Sequence, residues 1–154
     1  MTPKEQYAPI NILLADDDTD DRSFFEKALQ EIPFDTHFNT VNNGEQLMVY
    51  LAENADNLPD VIFLDLSMPR KTGFECLMEI KEDEKLKDIS VVMFSTSFSK
   101  GIELEMTLMN TLSTMGALDY IRKPSGFEQL KKVIHESLIK VIEKNPHYDN
   151  RSAL

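Results

Sequence analysis

Short aliphatic runs alternate with longer segments along this chain, and that alternation limits the fold more than any other feature. The runs are INILLA (10–15), THFNTV (36–41), VIFLD (61–65), VVMFS (91–95) and LDYIR (118–122). Each has the length and the β-branched or aliphatic content of a strand, whereas the segments between them space apolar residues at helical intervals. Strands that alternate with helices build βαβ units, which give a mostly parallel sheet covered on both faces. The sequence therefore predicts an α/β, doubly wound domain over residues 10–144, with an N-terminal extension over 1–9 and a polar tail over 145–154.

Local signals mark several helix ends. Thr72-Gly73-Phe74-Glu75 and Ser125-Gly126-Phe127-Glu128 both have capping-box spacing. The last helix carries Phe127, Leu130, Ile134, Leu138 and Val141 on one stripe and is ended by Asn145-Pro146. Cys76 falls on the buried side of its helix, and His37, His135 and His147 have no partners at metal-ligand spacing.

The ends of the runs carry the chemistry. In an open parallel sheet, ligands bind outside the carboxyl ends of the strands, beside the point where strand order reverses. The first run leads to Asp16 and Asp17, the third ends on Asp65, the fourth leads to Ser95 and Thr96, and the fifth to Lys123 and Pro124. Carboxylates about 4–5 Å apart repel by about 3–4 kcal/mol at an effective dielectric of about 20. Lys123 offsets only part of that repulsion. The natural remainder is a hard divalent cation with oxygen ligands, and Mg²⁺ suits a site with few carboxylates and several waters. A carboxylate beside Mg²⁺ and a lysine is also what phosphoryl transfer to an aspartate requires. A hydroxyl at Ser95 can then donate to a phosphoryl oxygen.

The stretch DDDTDD (16–21) divides into two devices. Asp18, Asp20 and Asp21 sit where a cap and first-turn acids favour a helix dipole, which leaves Asp16 and Asp17 for the cation. A calcium loop starting at Asp16 would need Gly and Glu where the chain has Asp21 and Lys27. The Asp-x-Asp-x-Thr/Val pattern of a haloacid-dehalogenase-type phosphatase fails as well, because its fifth position is Asp20. Asp65 alone could be a turn aspartate before Pro69, but VIFL before it reads as a buried strand.

Composition narrows the partners. A net charge of −11 argues against nucleic-acid and anionic-membrane binding, which need clustered Lys and Arg. No apolar run approaches the ~20 residues that span a bilayer, and MTPKEQYAPI lacks a signal-peptide core. With Cys76 as the single cysteine there is no disulfide framework, and the cytoplasm is the expected compartment.

Together, ILLADDD, VIFLDLSMPRKTG, VVMFSTS and DYIRKP resemble the receiver domain of two-component response regulators, in the right order and over nearly the whole chain. The resemblance implies a flavodoxin-like (βα)5 fold with strand order 2-1-3-4-5. It implies that Asp65 is the phosphoacceptor, and that Asp16, Asp17, Asp65 and the backbone carbonyl of Ser67 hold Mg²⁺. Ser95 would contact the phosphoryl group, Lys123 would pair with it, and Tyr120 would be the aromatic switch that follows Ser95. The Lys123-Pro124 bond would be cis, otherwise a minority state. The run DLSMPRKTGFECLMEIKEDEKLKDISVV is also similar to stand-alone receivers that serve phytochrome-type sensor kinases. Two departures stand out: Ser67 at a position that affects autodephosphorylation, and a long interval between Ser95 and Lys123.

Within that interval, Leu104, Leu108, Leu112 and Met115 share one helix face, while Ile102, Met106 and Met109 fall on roughly the opposite face. The first stripe is expected to cover the sheet. The second would form an adaptable surface for a homodimer or protein target, together with the last strand. The chain thus reads as a single-domain response regulator. It accepts a phosphoryl group from a histidine kinase or phosphotransfer protein onto Asp65, and signals by conformational change of the surface formed by its fourth helix, fifth strand and fifth helix. It acts as a phosphoacceptor and not as an enzyme on other substrates. The alternative is a receiver-like interaction module that works without phosphorylation. A flavodoxin-like binding protein would need a Ser/Thr/Gly-rich phosphate loop where this chain has aspartates.

Overall fold

Apolar runs bounded by caps become ten elements in strict alternation. They are β1 (Ile10–Ala15), α1 (Thr19–Gln30), β2 (Thr36–Val41), α2 (Gly44–Glu53), β3 (Val61–Asp65), α3 (Gly73–Glu82), β4 (Ser90–Ser95), α4 (Ile102–Thr114), β5 (Asp119–Arg122) and α5 (Phe127–Lys144). The computed structural model describes residues 9–96 and 101–145. Most of the expected N-terminal extension, the tail with Pro146 and His147, and residues 97–100 fall outside them. All strands are parallel in one sheet of order β2-β1-β3-β4-β5, the predicted order.

Side-chain alternation along the strands divides the interior into two layers. Ile10, Ile12 and Leu14 face one side with Phe63 and Phe94, packed against Phe25 and Leu29 of α1 and Leu130, Ile134 and Leu138 of α5. Leu13 and Ala15 face the other side with Ile62, Leu64 and Met93, under Leu47 of α2, Leu77 and Cys76 of α3, and Leu112 of α4. The first layer is aromatic at its centre: the Phe25 ring lies 5.0 Å from Phe63 and 5.9 Å from Phe94, both edge-on. His135 stacks on Phe34, a packing role.

Three of the five helices start on side-chain caps. Asp18 caps α1 by accepting from the Asp21 amide, Asn43 caps α2, and Thr72 with Glu75 forms a complete capping box on α3. The box expected at Ser125 does not form. The helix begins at Phe127 with Gly126 as its N-cap, so Glu128 occupies the second helical position and not the third that a box requires. The Lys123–Pro124 bond also differs from expectation, since every described peptide bond is trans. Trans is the ordinary state of an X-Pro bond, and with it the Lys123 amine already reaches its carboxylate partners.

The covering stripe of α4 is the third correction. Leu108 and Met115 are half-buried and Leu112 is fully buried, but Leu104 is 54% exposed and Glu105 is buried in its place. One residue of helix is about 100° of rotation. The buried line therefore runs Glu105–Leu108–Leu112–Met115, and Leu104 joins Ile102, Met106 and Met109 on the open side.

Gly73 fixes how α3 meets the end of β3. A Cβ there would lie 2.3 Å from the Asp65 carbonyl oxygen and 2.9 Å from the Leu66 Cα. Its amide donates to the Leu66 carbonyl at 3.1 Å. Gly73→Ala must push backbone against backbone, so we expect a loss of about 2–3 kcal/mol in urea unfolding. An unchanged midpoint would contradict this close approach.

Candidate functional site

The register of the central strands brings the predicted residues to one edge. Asp65 pairs with Phe94, which sets Ser95 one residue beyond it on the next strand, and Ser95 pairs with Arg122, just before Lys123. Asp16 continues β1 beside β3, where its amide donates to the Val41 carbonyl at 3.1 Å. Oxygen atoms of Asp16, Asp17 and Asp65 all lie within 4.8 Å of one another. An all-oxygen, all-anionic donor set of this spacing fits a hard divalent cation such as Mg²⁺ and disfavours soft metals.

Each carboxylate is oriented by a separate bond. Asp16 is 2% exposed; its Oδ1 accepts the Asp18 amide at 3.0 Å, and its carbonyl accepts from Arg22 Nη1 at 2.7 Å. Asp65 is 4% exposed, and its Oδ1 accepts the Ser67 amide at 3.1 Å. Asp17 is exposed and open to solvent. Lys123 Nζ binds Asp16 Oδ2 at 2.7 Å, Asp21 Oδ2 at 3.0 Å and Asp65 Oδ2 at 3.3 Å.

Burial dominates the electrostatics. It pushes the Asp65 carboxyl up to about 6, against the downward pull of Lys123 and the Ser67 amide and with a further push from Asp16. Burial would by itself lower the Lys123 ammonium. Its hydrogen bond and charge attraction to Asp16, with Asp65 and Asp21 behind them, outweigh that and hold it above the ordinary lysine range.

On the β4–β5 side, Ser95 Oγ lies 2.7 Å from the Tyr120 hydroxyl, within hydrogen-bond distance. The Tyr120 hydroxyl also donates to Glu105 Oε2 at 3.2 Å. Arg122 Nε donates to Glu105 Oε2 at 3.0 Å, and Arg122 Nη2 pairs with Glu105 Oε1. Ser67 supplies its amide to Asp65, while its side chain stands exposed.

Sequence reasoning missed three of these residues. Asp21 was read only as a first-turn acid, yet it is the second carboxylate on Lys123 as well as part of the α1 cap. Arg22, which holds the Asp16 carbonyl, had no signal in the sequence. Glu105 did have one: it stands i, i+3 and i+7 with Leu108 and Leu112, a charged residue on a buried stripe.

Comparison with known proteins places the chain in a family. The model of the response regulator receiver domain matches residues 12–135. A probable methanogenesis regulatory protein of Methanothrix harundinacea is 30% identical over 83% of this chain and 81% of its own length. The phosphorylated cyanobacterial phytochrome response regulator RcpA superposes with a TM-score of 0.74 at 31% identity, over 90% of this chain and 97% of that one. The Mn²⁺-bound response regulator Rcp1 gives 0.70 at 27% identity, over 83% and 91%. Other curated relatives are longer: this chain covers 37% of a protein-glutamate methylesterase/protein-glutamine glutaminase from Geobacillus kaustophilus. Among the described residues no helix is long and apolar enough to cross a membrane.

Two outcomes follow from the Asp65 environment. Its folded value of about 6 lies above that of an unfolded aspartate, so the native state loses stability as pH rises from about 4 through about 6. Asp65→Asn removes that penalty: it should unfold about 2 kcal/mol less readily than wild type at pH 8 and differ little at pH 4, by denaturant titration. Cation binding must displace the Asp65 proton, so Mg²⁺ affinity should fall as pH drops below about 6. At ten times its Kd, Mg²⁺ should stabilise the wild type by about 1.4 kcal/mol at pH 8. Thermal melts indifferent to Mg²⁺ would contradict the assignment.

Proposed function

The chain belongs to the response regulator receiver domain family, and on that premise we propose that it accepts a phosphoryl group from a phosphohistidine onto Asp65. The observation that carries this reading is a buried, oriented carboxylate beside a lysine and within reach of two further aspartates. The phosphoryl donor is a histidine kinase or a phosphotransfer protein. The likeness to phytochrome response regulators favours a kinase of that class.

The step is an in-line displacement. An Asp65 oxygen attacks phosphorus as the P–N bond to the donor imidazole breaks, and the imidazole leaves and takes up a proton. With its carboxyl at about 6, Asp65 is mostly ionised at neutral pH and competent to attack. The Ser67 amide holds one Asp65 oxygen and Lys123 the other, so the carboxylate is restrained before the donor arrives. Lys123 can then follow the negative charge from the carboxylate to the phosphoryl oxygens, and Ser95 Oγ donates to one of them. Asp16, Asp17, Asp65 and the Ser67 carbonyl would hold Mg²⁺, which would supply charge neutralisation during the transfer.

The signal leaves through α4, β5 and α5. Ser95, Tyr120, Glu105 and Arg122 form a continuous polar chain from the site to α4 and β5. Beyond it lie the exposed Ile102, Leu104, Met106 and Met109 of α4. A second copy or a protein target is the partner this face suits.

Incubation with acetyl phosphate and Mg²⁺ tests the reading by intact mass. Wild type should gain one phosphoryl group, and chelation of the metal should suppress the gain. Asp65→Asn should gain none. Equal labelling of the Asp65→Asn protein would move the acceptor elsewhere, and an unlabelled wild type would leave the site without this function.

A further inference from the structure

Glu105 is 7% exposed, sits on the buried face of α4, and has no part in binding the cation or the phosphoryl group. Its two oxygens are acceptors held by the Arg122 guanidinium, and Oε2 also accepts a hydrogen bond from the Tyr120 hydroxyl at 3.2 Å. That contact has a consequence for direction. A tyrosine hydroxyl carries one proton. Given to Glu105, it cannot also be given to Ser95, 2.7 Å away. The Ser95–Tyr120 bond must then run the other way, with Ser95 as donor and Tyr120 as acceptor.

Ser95 also has a single proton. A phosphoryl oxygen on Asp65 can only accept, so it competes with Tyr120 for that proton. The Thr96 carbonyl, 3.2 Å from Ser95 Oγ, is a third and more distant claimant. When Ser95 turns to the phosphoryl group, two oxygens 2.7 Å apart are left with no proton between them. They must separate, or Tyr120 must turn its own proton from Glu105 to Ser95 and release its hold on α4.

We propose that Glu105 is a positioning residue for the phosphorylation of Asp65: its carboxylate fixes the direction of the Ser95–Tyr120 hydrogen bond and so opposes recruitment of Ser95. This rests on Asp65 being the phosphoacceptor. Glutamine at position 105 keeps the shape and one acceptor for Arg122, but its amide group can donate to Tyr120. The tyrosine proton is then free to go to Ser95, and the serine proton to the phosphoryl group. An α4 side chain thereby sets how easily the site adopts its phosphorylated arrangement, without touching phosphorus or metal.

The test is beryllofluoride affinity, read by fluorine NMR in the presence of Mg²⁺, for wild type, Glu105→Gln, Tyr120→Phe and the double variant. Glu105→Gln should bind about five-fold more tightly than wild type, the scale of one hydrogen bond relieved. Tyr120→Phe frees the same Ser95 proton and should bind more tightly to a similar degree, which keeps the test standing if the glutamine variant folds poorly. In the Tyr120→Phe background, Glu105→Gln should change affinity by less than about two-fold, because the route through the hydroxyl is gone. A purely structural Glu105 would shift melting temperature and leave affinity alone. Equal affinity of Glu105→Gln and wild type, an equal gain in the Phe background, or Tyr120→Phe no tighter than wild type would each overturn the proposal. Wild type that fails to bind beryllofluoride would overturn it together with the phosphoacceptor reading.

Discussion

One ammonium group holds this site together. Lys123 reaches Asp16, Asp21 and Asp65 at once, from the end of the edge strand β5. Without it, two nearly inaccessible carboxylates would face each other across the β1–β3 boundary, in a chain that already carries a net charge of −11. At an effective dielectric of about 20, each close carboxylate pair costs about 3–4 kcal/mol, a large part of the ~5–15 kcal/mol that a domain has in all. The parallel sheet is what lets one lysine do this. It brings β1, β3 and β5 to the same edge with their carboxyl ends aligned, although the acids and the amine lie far apart in sequence. Burial nonetheless holds the Asp65 carboxyl up, because desolvation outweighs the pull of Lys123. Three carboxylates on one ammonium still leave the edge net negative, and a net negative edge attracts a cation.

How much of this was legible in the sequence follows from what each feature depends on. Strand ends are set by apolar runs, and a residue at the end of a buried parallel strand can go only to the ligand-binding edge. Asp16, Asp65, Ser95 and Lys123 were therefore visible from the order of segments alone, and so was the layered α/β fold. Asp21 and Glu105 depend on something finer: the rotation of a helix about its own axis. A shift of one residue turns a side chain by about 100°, enough to exchange Leu104 for Glu105 at the buried face. The apolar pattern of α4 favoured leucine there, and hydrophobicity alone could not foresee that Arg122 and Tyr120 would make a carboxylate acceptable. The start of α5 was misplaced for a related reason, since Ser125 and Gly126 are both good caps and only the backbone path after Pro124 decides between them.

The two faces of the sheet are built to different standards. On the α1–α5 side the phenylalanines interlock, and the α5 stripe lies buried from Leu130 to Ile142. On the other side α4 buries only Glu105 and Leu112 completely, and its N-cap is Gly101, which offers no side-chain hydrogen bond. Elements with few buried apolar contacts and weak ends sit at the low end of local stability and are the ones free to move. The helix that Tyr120 bonds is thus also the one with least apolar packing to hold it still.

That contrast explains why a polar link stands where a leucine could. A buried ion pair roughly breaks even against well-packed apolar residues, so Glu105 is not needed to hold α4 in place. An apolar contact has no direction: it weakens smoothly as groups separate and carries no information about a neighbouring proton. A hydrogen bond has a donor and an acceptor, and a row of them with one proton each can change state only together. Ser95, Tyr120 and Glu105 form such a row, with the carboxylate edge of the sheet at one end and a lightly packed helix at the other. A proton claimed at one end is therefore felt as a lost or reversed bond at the other, across a distance that no single side chain spans.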